Sequence, residues 1–81
     1  MFTVYSKPNC PWCDRAKALL TSKGEAYEEI ILDVGQPKDE SKTYVSVAEL
    51  KAVVPNAQSV PQILHDGVLV GGYTDLAKVL T

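Results

Sequence analysis

The chain has little of what usually declares a function at once. Its 81 residues include two cysteines, one histidine, one tryptophan and one methionine. The longest purely apolar runs are three residues or so, such as Ile30-Ile31-Leu32. A membrane-crossing helix needs about 20, so no membrane span is expected. There is no basic block. Lys+Arg total 8 against Asp+Glu 10, a net charge of -2, so neither nucleic acid nor an anionic membrane surface is an expected partner. No basic-then-apolar leader precedes the first strand-like segment, and a cytoplasmic location is the expectation. Two cysteines are too few for the framework of a small secreted domain, and Cys10 and Cys13 close too short a loop to constrain the unfolded chain. Those two and His65 fall one ligand short of a closed zinc site, so no metal is expected. Repeats, linkers and low-complexity tracts are also missing.

What remains is ordinary globular composition, with 46% hydrophobic and 22% charged residues. A chain of 8.8 kDa buries only about 60–65% of its unfolded surface, so residues 1–81 are expected to form one small domain. Phe2-Thr3-Val4-Tyr5 is β-branched and aromatic and runs into the breaker Ser6-Lys7-Pro8-Asn9, which suggests a strand and then a loop. From Pro11 to Lys23 the spacing is helical, with Trp12, Ala16, Leu19 and Leu20 on one face and Gly24 as the stop. Tyr27 to Val34 reads as a strand covered on both faces, and Gly35 to Lys42 as a solvated loop. Ser46 and Glu49 match a capping box opening a short helix that must stop near Pro55. Pro61 to His65, Asp66-Gly67 and Val68 to Val70 form a hairpin signature. Helical spacing resumes at Thr74 to Leu80, with the cap expected at Tyr73 or Thr74 and Asp75 favourably placed against the helix dipole. The order is β-α-β-α-β-β-α, an α/β class with a four-stranded mixed sheet flanked by helices.

The chemistry concentrates in Cys10-Pro11-Trp12-Cys13. Two thiols three residues apart on the first helical turn can close a disulfide locally. Cys10 would face unpaired backbone N–H groups and the positive end of the helix dipole, which favour a thiolate; Cys13 lies one turn inside and should be less ionised. Cys10 is therefore the expected attacking sulfur and Cys13 the resolving one. Lowering a thiol from about 8.5 to about 5 raises its ionised fraction at neutral pH some 30-fold, but reduced intrinsic nucleophilicity removes a similar factor. The net gain comes when the stabilised thiolate leaves. Trp12 either packs on the helix's apolar face or stands where a substrate approaches, and the local pattern leaves both open.

Lys7, the Cys10–Cys13 motif, Ser59-Val60-Pro61 and Gly71-Gly72-Tyr73-Thr74-Asp75 occur in one order and spacing, and with them the sequence resembles the dithiol glutaredoxins, of the small bacterial and phage type. The likeness covers nearly the whole chain. It implies a thioredoxin fold and a glutathione-dependent thiol-disulfide oxidoreductase acting on protein disulfides and glutathione-mixed disulfides. It also implies a cis Val60–Pro61 bond, with the Val60 backbone turned toward an extended glutathione, and Pro61 packed beside the cysteines. Gly72, Tyr73, Thr74 and Asp75 would hold the γ-glutamyl end, the helix N–H groups taking its carboxylate and Asp75 its ammonium. Lys7 and Gln58 would meet the glycyl carboxylate. Trp12 stands where tyrosine is commoner, and Ser59 where threonine is frequent. The resemblance implies no bound cofactor, glutathione as co-substrate, a monomer, and disulfide-containing protein clients, with ribonucleotide reductase among them by analogy. Two alternatives have less support. A thioredoxin-like redoxin fed by a flavoprotein reductase would lack the Gly72–Asp75 pattern. An iron-sulfur binding module, with two chains sharing a cluster through Cys10 and glutathione, is disfavoured by Pro11 and Cys13.

Overall fold

Every element read from the sequence is present in the computed structural model, which describes residues 1–81, and one strand is added. The order is β1 (Phe2–Ser6), α1 (Pro11–Ser22), β2 (Tyr27–Leu32), β3 (Thr43–Val45), α2 (Val47–Val53), β4 (Gln62–His65), β5 (Val68–Gly71) and α3 (Tyr73–Leu80). They build one sheet of five strands, ordered β3-β2-β1-β4-β5. β1 runs parallel to β2 and antiparallel to β4, β2 is parallel to β3, and β4–β5 is the antiparallel hairpin. The expected count of four strands is thus corrected to five, within the same mixed α/β class. Thr43-Tyr44-Val45 extends β2 at its outer edge, pairing Ile30 with Thr43 and Leu32 with Val45.

Local chemistry explains most boundaries. α1 begins with Pro11 at its first position and ends in a Schellman arrangement: Gly24 N–H donates to Thr21 O at 3.1 Å and Glu25 N–H to Leu20 O at 2.9 Å. Gly24 sits at φ +71°, which a side chain would strain. In α2 the Ser46 hydroxyl accepts the Glu49 N–H at 3.0 Å while the Glu49 carboxylate accepts the Ser46 N–H at 3.2 Å. The hairpin turns through Asp66 and Gly67 at φ +51° and +83°, the pair of positive angles that an Asp-Gly turn supplies.

Two apolar layers sandwich the sheet. Phe2 and Val4 of β1 and Ile63 of β4 pack with Ala16 and Leu20 of α1 and Leu76 of α3. Tyr5 and Leu64, one residue out of phase on the same strands, face Leu50, Val54 and Ala57 on the α2 side. β1 contributes to both layers, so the loop leaving β1 at Ser6 is carried by a strand packed on both faces.

A polar cluster ties α1 to β2. The Lys17 ammonium lies 2.7 Å from Glu29 Oε2, which also accepts the Ser6 hydroxyl at 2.8 Å. Burial alone would push the Glu29 carboxyl up, but the Lys17 and Ser6 hydrogen bonds outweigh it and hold the carboxyl below its ordinary value. Burial likewise works against the Lys17 ammonium, and Glu29 and Asp14 outweigh it, so its value is raised. With Glu29 depressed, its stabilisation is complete above the ordinary value of 4.5 and is lost as pH falls through the folded value. Lys17 contributes below its ordinary 10.5 and loses that contribution as pH rises through its folded value. Glu29→Gln should therefore cost about 1–2 kcal/mol at neutral pH. Urea unfolding at pH 7 and pH 3 checks it: the gap to wild type should be smaller at pH 3, below the ordinary value, and an equal gap at both would remove the charge from the explanation.

Candidate active site

The loop from β1 delivers Cys10 to the N-cap of α1. Asn9 turns the chain there at φ +56°, and Cys10 is extended, at φ -116° and ψ 96°. Its carbonyl accepts the Asp14 N–H at 3.1 Å, while its sulfur accepts the Cys13 N–H at 3.2 Å. An N-cap sulfur thus takes the place of the serine or aspartate oxygen that commonly occupies this position. The donor it engages favours negative charge on sulfur, as does the positive end of α1. Cys10 and Cys13 form a disulfide with a Cα separation of 5.3 Å. Cys10 retains 7% exposure and Cys13 only 1%. The outer sulfur is the one a substrate can reach.

Opposite stands the loop before β4. Val60–Pro61 is cis, and Pro61 is buried. Val60 O lies 3.8 Å from Cys10 Sγ. The Val60 N–H has no partner within the chain, which leaves a free backbone edge beside the sulfur. Gln62 Nε2 donates to Ser59 O at 2.7 Å and fixes the loop from behind.

Two cavities open on either side of Val60. One, of about 290 Å³, is bounded by Trp12, Ser59, Val60, Pro61, Gly72, Tyr73 and Thr74. The other, of about 300 Å³, begins at Lys7, Gln58, Ser59 and Val60 and runs over an apolar floor toward α2. All the expected site residues border one of these cavities or the sulfurs except Asp75. Its carboxylate turns back to accept the Gly72 N–H at 3.2 Å. That turn requires Gly71, where φ is +124° and a side chain would sit 2.8 Å from Asp75 Cγ. The cap of α3 is Gly72, before the expected Tyr73 or Thr74. A glycine cap has no side chain to satisfy the first N–H groups of the helix, so those at Tyr73 and Thr74 are left open.

Trp12 departs from the helix-face reading. Ala16 and Leu20 are fully buried, whereas Trp12 is 51% exposed. Its ring meets Tyr73 at 5.5 Å between centroids, and the Arg15 guanidinium lies 4.6 Å above it. The contact of Arg15 with Trp12 was not anticipated from the sequence, although a spacing of three on a helix is a usable signal. His65 stacks on Phe2 at 4.3 Å, at the far end of β4 from Pro61, and takes no part in the site.

A Cys-x-x-Cys disulfide at a helix N-terminus, faced by a proline loop on a mixed sheet, is the site of a thiol-disulfide oxidoreductase of thioredoxin fold. The glutaredoxin family model matches residues 2–70. Hybrid peroxiredoxin hyPrx5 of Haemophilus influenzae is 40% identical over 94% of the chain, which spans only 27% of that protein. Glutaredoxin 3 of Escherichia coli is 38% identical over 90% of the chain and 77% of its own length. Among solved structures, a buckwheat glutaredoxin–glutathione complex superposes with a TM-score of 0.69 at 26% identity, covering 95% of this chain and 64% of that one. The chain belongs to the glutaredoxin family.

Proposed function

We propose that this oxidoreductase is driven by glutathione and reduces glutathione-mixed disulfides and protein disulfides, with Cys10 as nucleophile and Cys13 as resolving thiol. The observation that carries this function is the Cys10 sulfur, held by the Cys13 N–H and 3.8 Å from the carbonyl of Val60, whose N–H has no partner. On a glutathione-mixed disulfide the Cys10 thiolate attacks the glutathione sulfur. The old S–S bond breaks, the client leaves as a thiolate and takes up a proton, and glutathione remains on Cys10. A second glutathione thiolate attacks that sulfur, releasing oxidised glutathione and the Cys10 thiolate. On a protein disulfide Cys13 displaces the client from Cys10 and leaves the Cys10–Cys13 disulfide, which two glutathiones reduce in turn.

The groove suits the tripeptide. Its cysteine would lie along Val60 as an added strand, with the Val60 N–H donating and the Val60 carbonyl accepting. The γ-glutamyl carboxylate would meet the open N–H groups of Tyr73 and Thr74 at the start of α3. Asp75 already accepts one N–H from Gly72 and keeps its other lone pairs for the ammonium. Lys7 and Gln58 stand at the opposite end for the glycyl carboxylate, and Trp12 and Tyr73 wall the γ-glutamyl side. The buckwheat protein's complex with glutathione supports this choice of reductant.

A coupled assay on the mixed disulfide of glutathione and 2-mercaptoethanol tests it. Turnover with glutathione and glutathione reductase is the expected result. Recycling by a thioredoxin reductase with no response to glutathione would transfer the protein to the redoxin reading.

A further inference from the structure

The cavity on the Lys7 side is larger than a glycine needs. Its floor is formed by Leu32, Leu50 and Ala57, and its outer rim by Val34 and Val47, which are 58% and 47% exposed. Glycine ends in a carboxylate with no side chain, so glutathione would leave this apolar surface wet. The charges are also in excess. Of the four lysines that join no ion pair, Lys7, Lys23, Lys51 and Lys78, two, Lys7 and Lys51, border this one cavity, and both are exposed. Nearby carboxylates are engaged elsewhere: Asp33 pairs with Lys38, and Glu49 caps α2. A glycyl carboxylate can engage an ammonium, but it brings no apolar group to the floor.

We infer that this cavity, between α2 and the Gln58–Val60 loop, docks the client polypeptide just beyond its reactive cysteine, and prefers an apolar side chain followed by a carboxylate. The inference rests on the proposed direction of glutathione, with its glycyl end toward Lys7. A client lying along Val60 in the same direction then carries its chain past Lys7 toward α2. Its first residue after cysteine reaches the Leu50 floor, and a carboxylate beyond it reaches Lys51. Lys51 is thereby a specificity-determining residue for protein clients that glutathione does not touch.

The test uses two short peptides, each disulfide-bonded to 2-mercaptoethanol, with Cys-Leu-Asp or Cys-Ser-Asn as the reactive segment. Wild type should reduce the first with a kcat/KM about five- to tenfold higher, the sum of one partly buried apolar side chain and one exposed ion pair. Lys51→Glu, at an exposed position, should erase most of that preference and leave the glutathione–mercaptoethanol disulfide rate unchanged. Val47→Ser should do so through the apolar part alone. Equal rates on the two peptides, with the glutathione rate intact, would overturn the groove only. Loss of the glutathione reaction in wild type would instead overturn the reading beneath it. Sedimentation of wild type as a dimer that Val47→Ser disperses would give the groove to a second copy and refute a client site.

Discussion

Cys10→Ser should lower kcat/KM on a glutathione-mixed disulfide by at least roughly a thousandfold, because the hydroxyl that replaces the sulfur is not ionised near neutral pH and cannot form the mixed disulfide. Cys13→Ser should keep a large part of that activity, since a second glutathione can attack the Cys10-bound intermediate without it. The same variant should lose most of its activity on an intramolecular protein disulfide, where resolution falls to the buried sulfur, 1% exposed. The two substrates, assayed side by side, separate the roles. Equal loss on the mixed disulfide in both variants would make the dithiol compulsory and contradict the monothiol route; survival of Cys10→Ser would contradict its role as nucleophile.

Leu76→Ala should be the most damaging core substitution for its size. Leu76 is the one fully buried residue of α3, and it closes the layer made by Phe2, Val4, Ala16, Leu20 and Ile63. Truncating a leucine in such a setting costs about 2–5 kcal/mol. At about 0.05–0.15 kcal/mol per residue, a domain this small has only about 4–12 to lose. Urea unfolding at 25 °C should show the midpoint falling sharply. Because α3 presents the Tyr73 and Thr74 N–H groups, the folded fraction should also need more glutathione, with KM rising more than kcat falls. A loss below about 1 kcal/mol would mean that α3 is not anchored through this residue.

The parts of the fold legible in advance were those whose cause is local. Gly24, Asp66-Gly67 and the Ser46–Glu49 box each act within a few residues, and each appears where its chemistry demands. Strand β3 was not legible, because three part-exposed residues hold together only through pairing with β2, about 13 positions earlier in the chain. For Trp12, helical periodicity assigned a face but could not show that α3 would bring Tyr73 against its ring. The reactive pair, the cis Val60–Pro61 bond and the residues on both sides of Val60 were anticipated, several of them only through family resemblance. Asp75 shows the limit of that route. Its carboxylate position depends on the empty space at Gly71 and on the Gly72 N–H, which are features of backbone geometry.

Catalysis by this site requires the reduced Cys10 sulfur to carry negative charge at the start of α1. Ultraviolet titration of the thiolate in reduced protein, repeated on Cys13→Ser so that a single sulfur reports, measures this directly. The expected midpoint lies well below the ordinary thiol value of about 8.5. A midpoint at or above that value would contradict it.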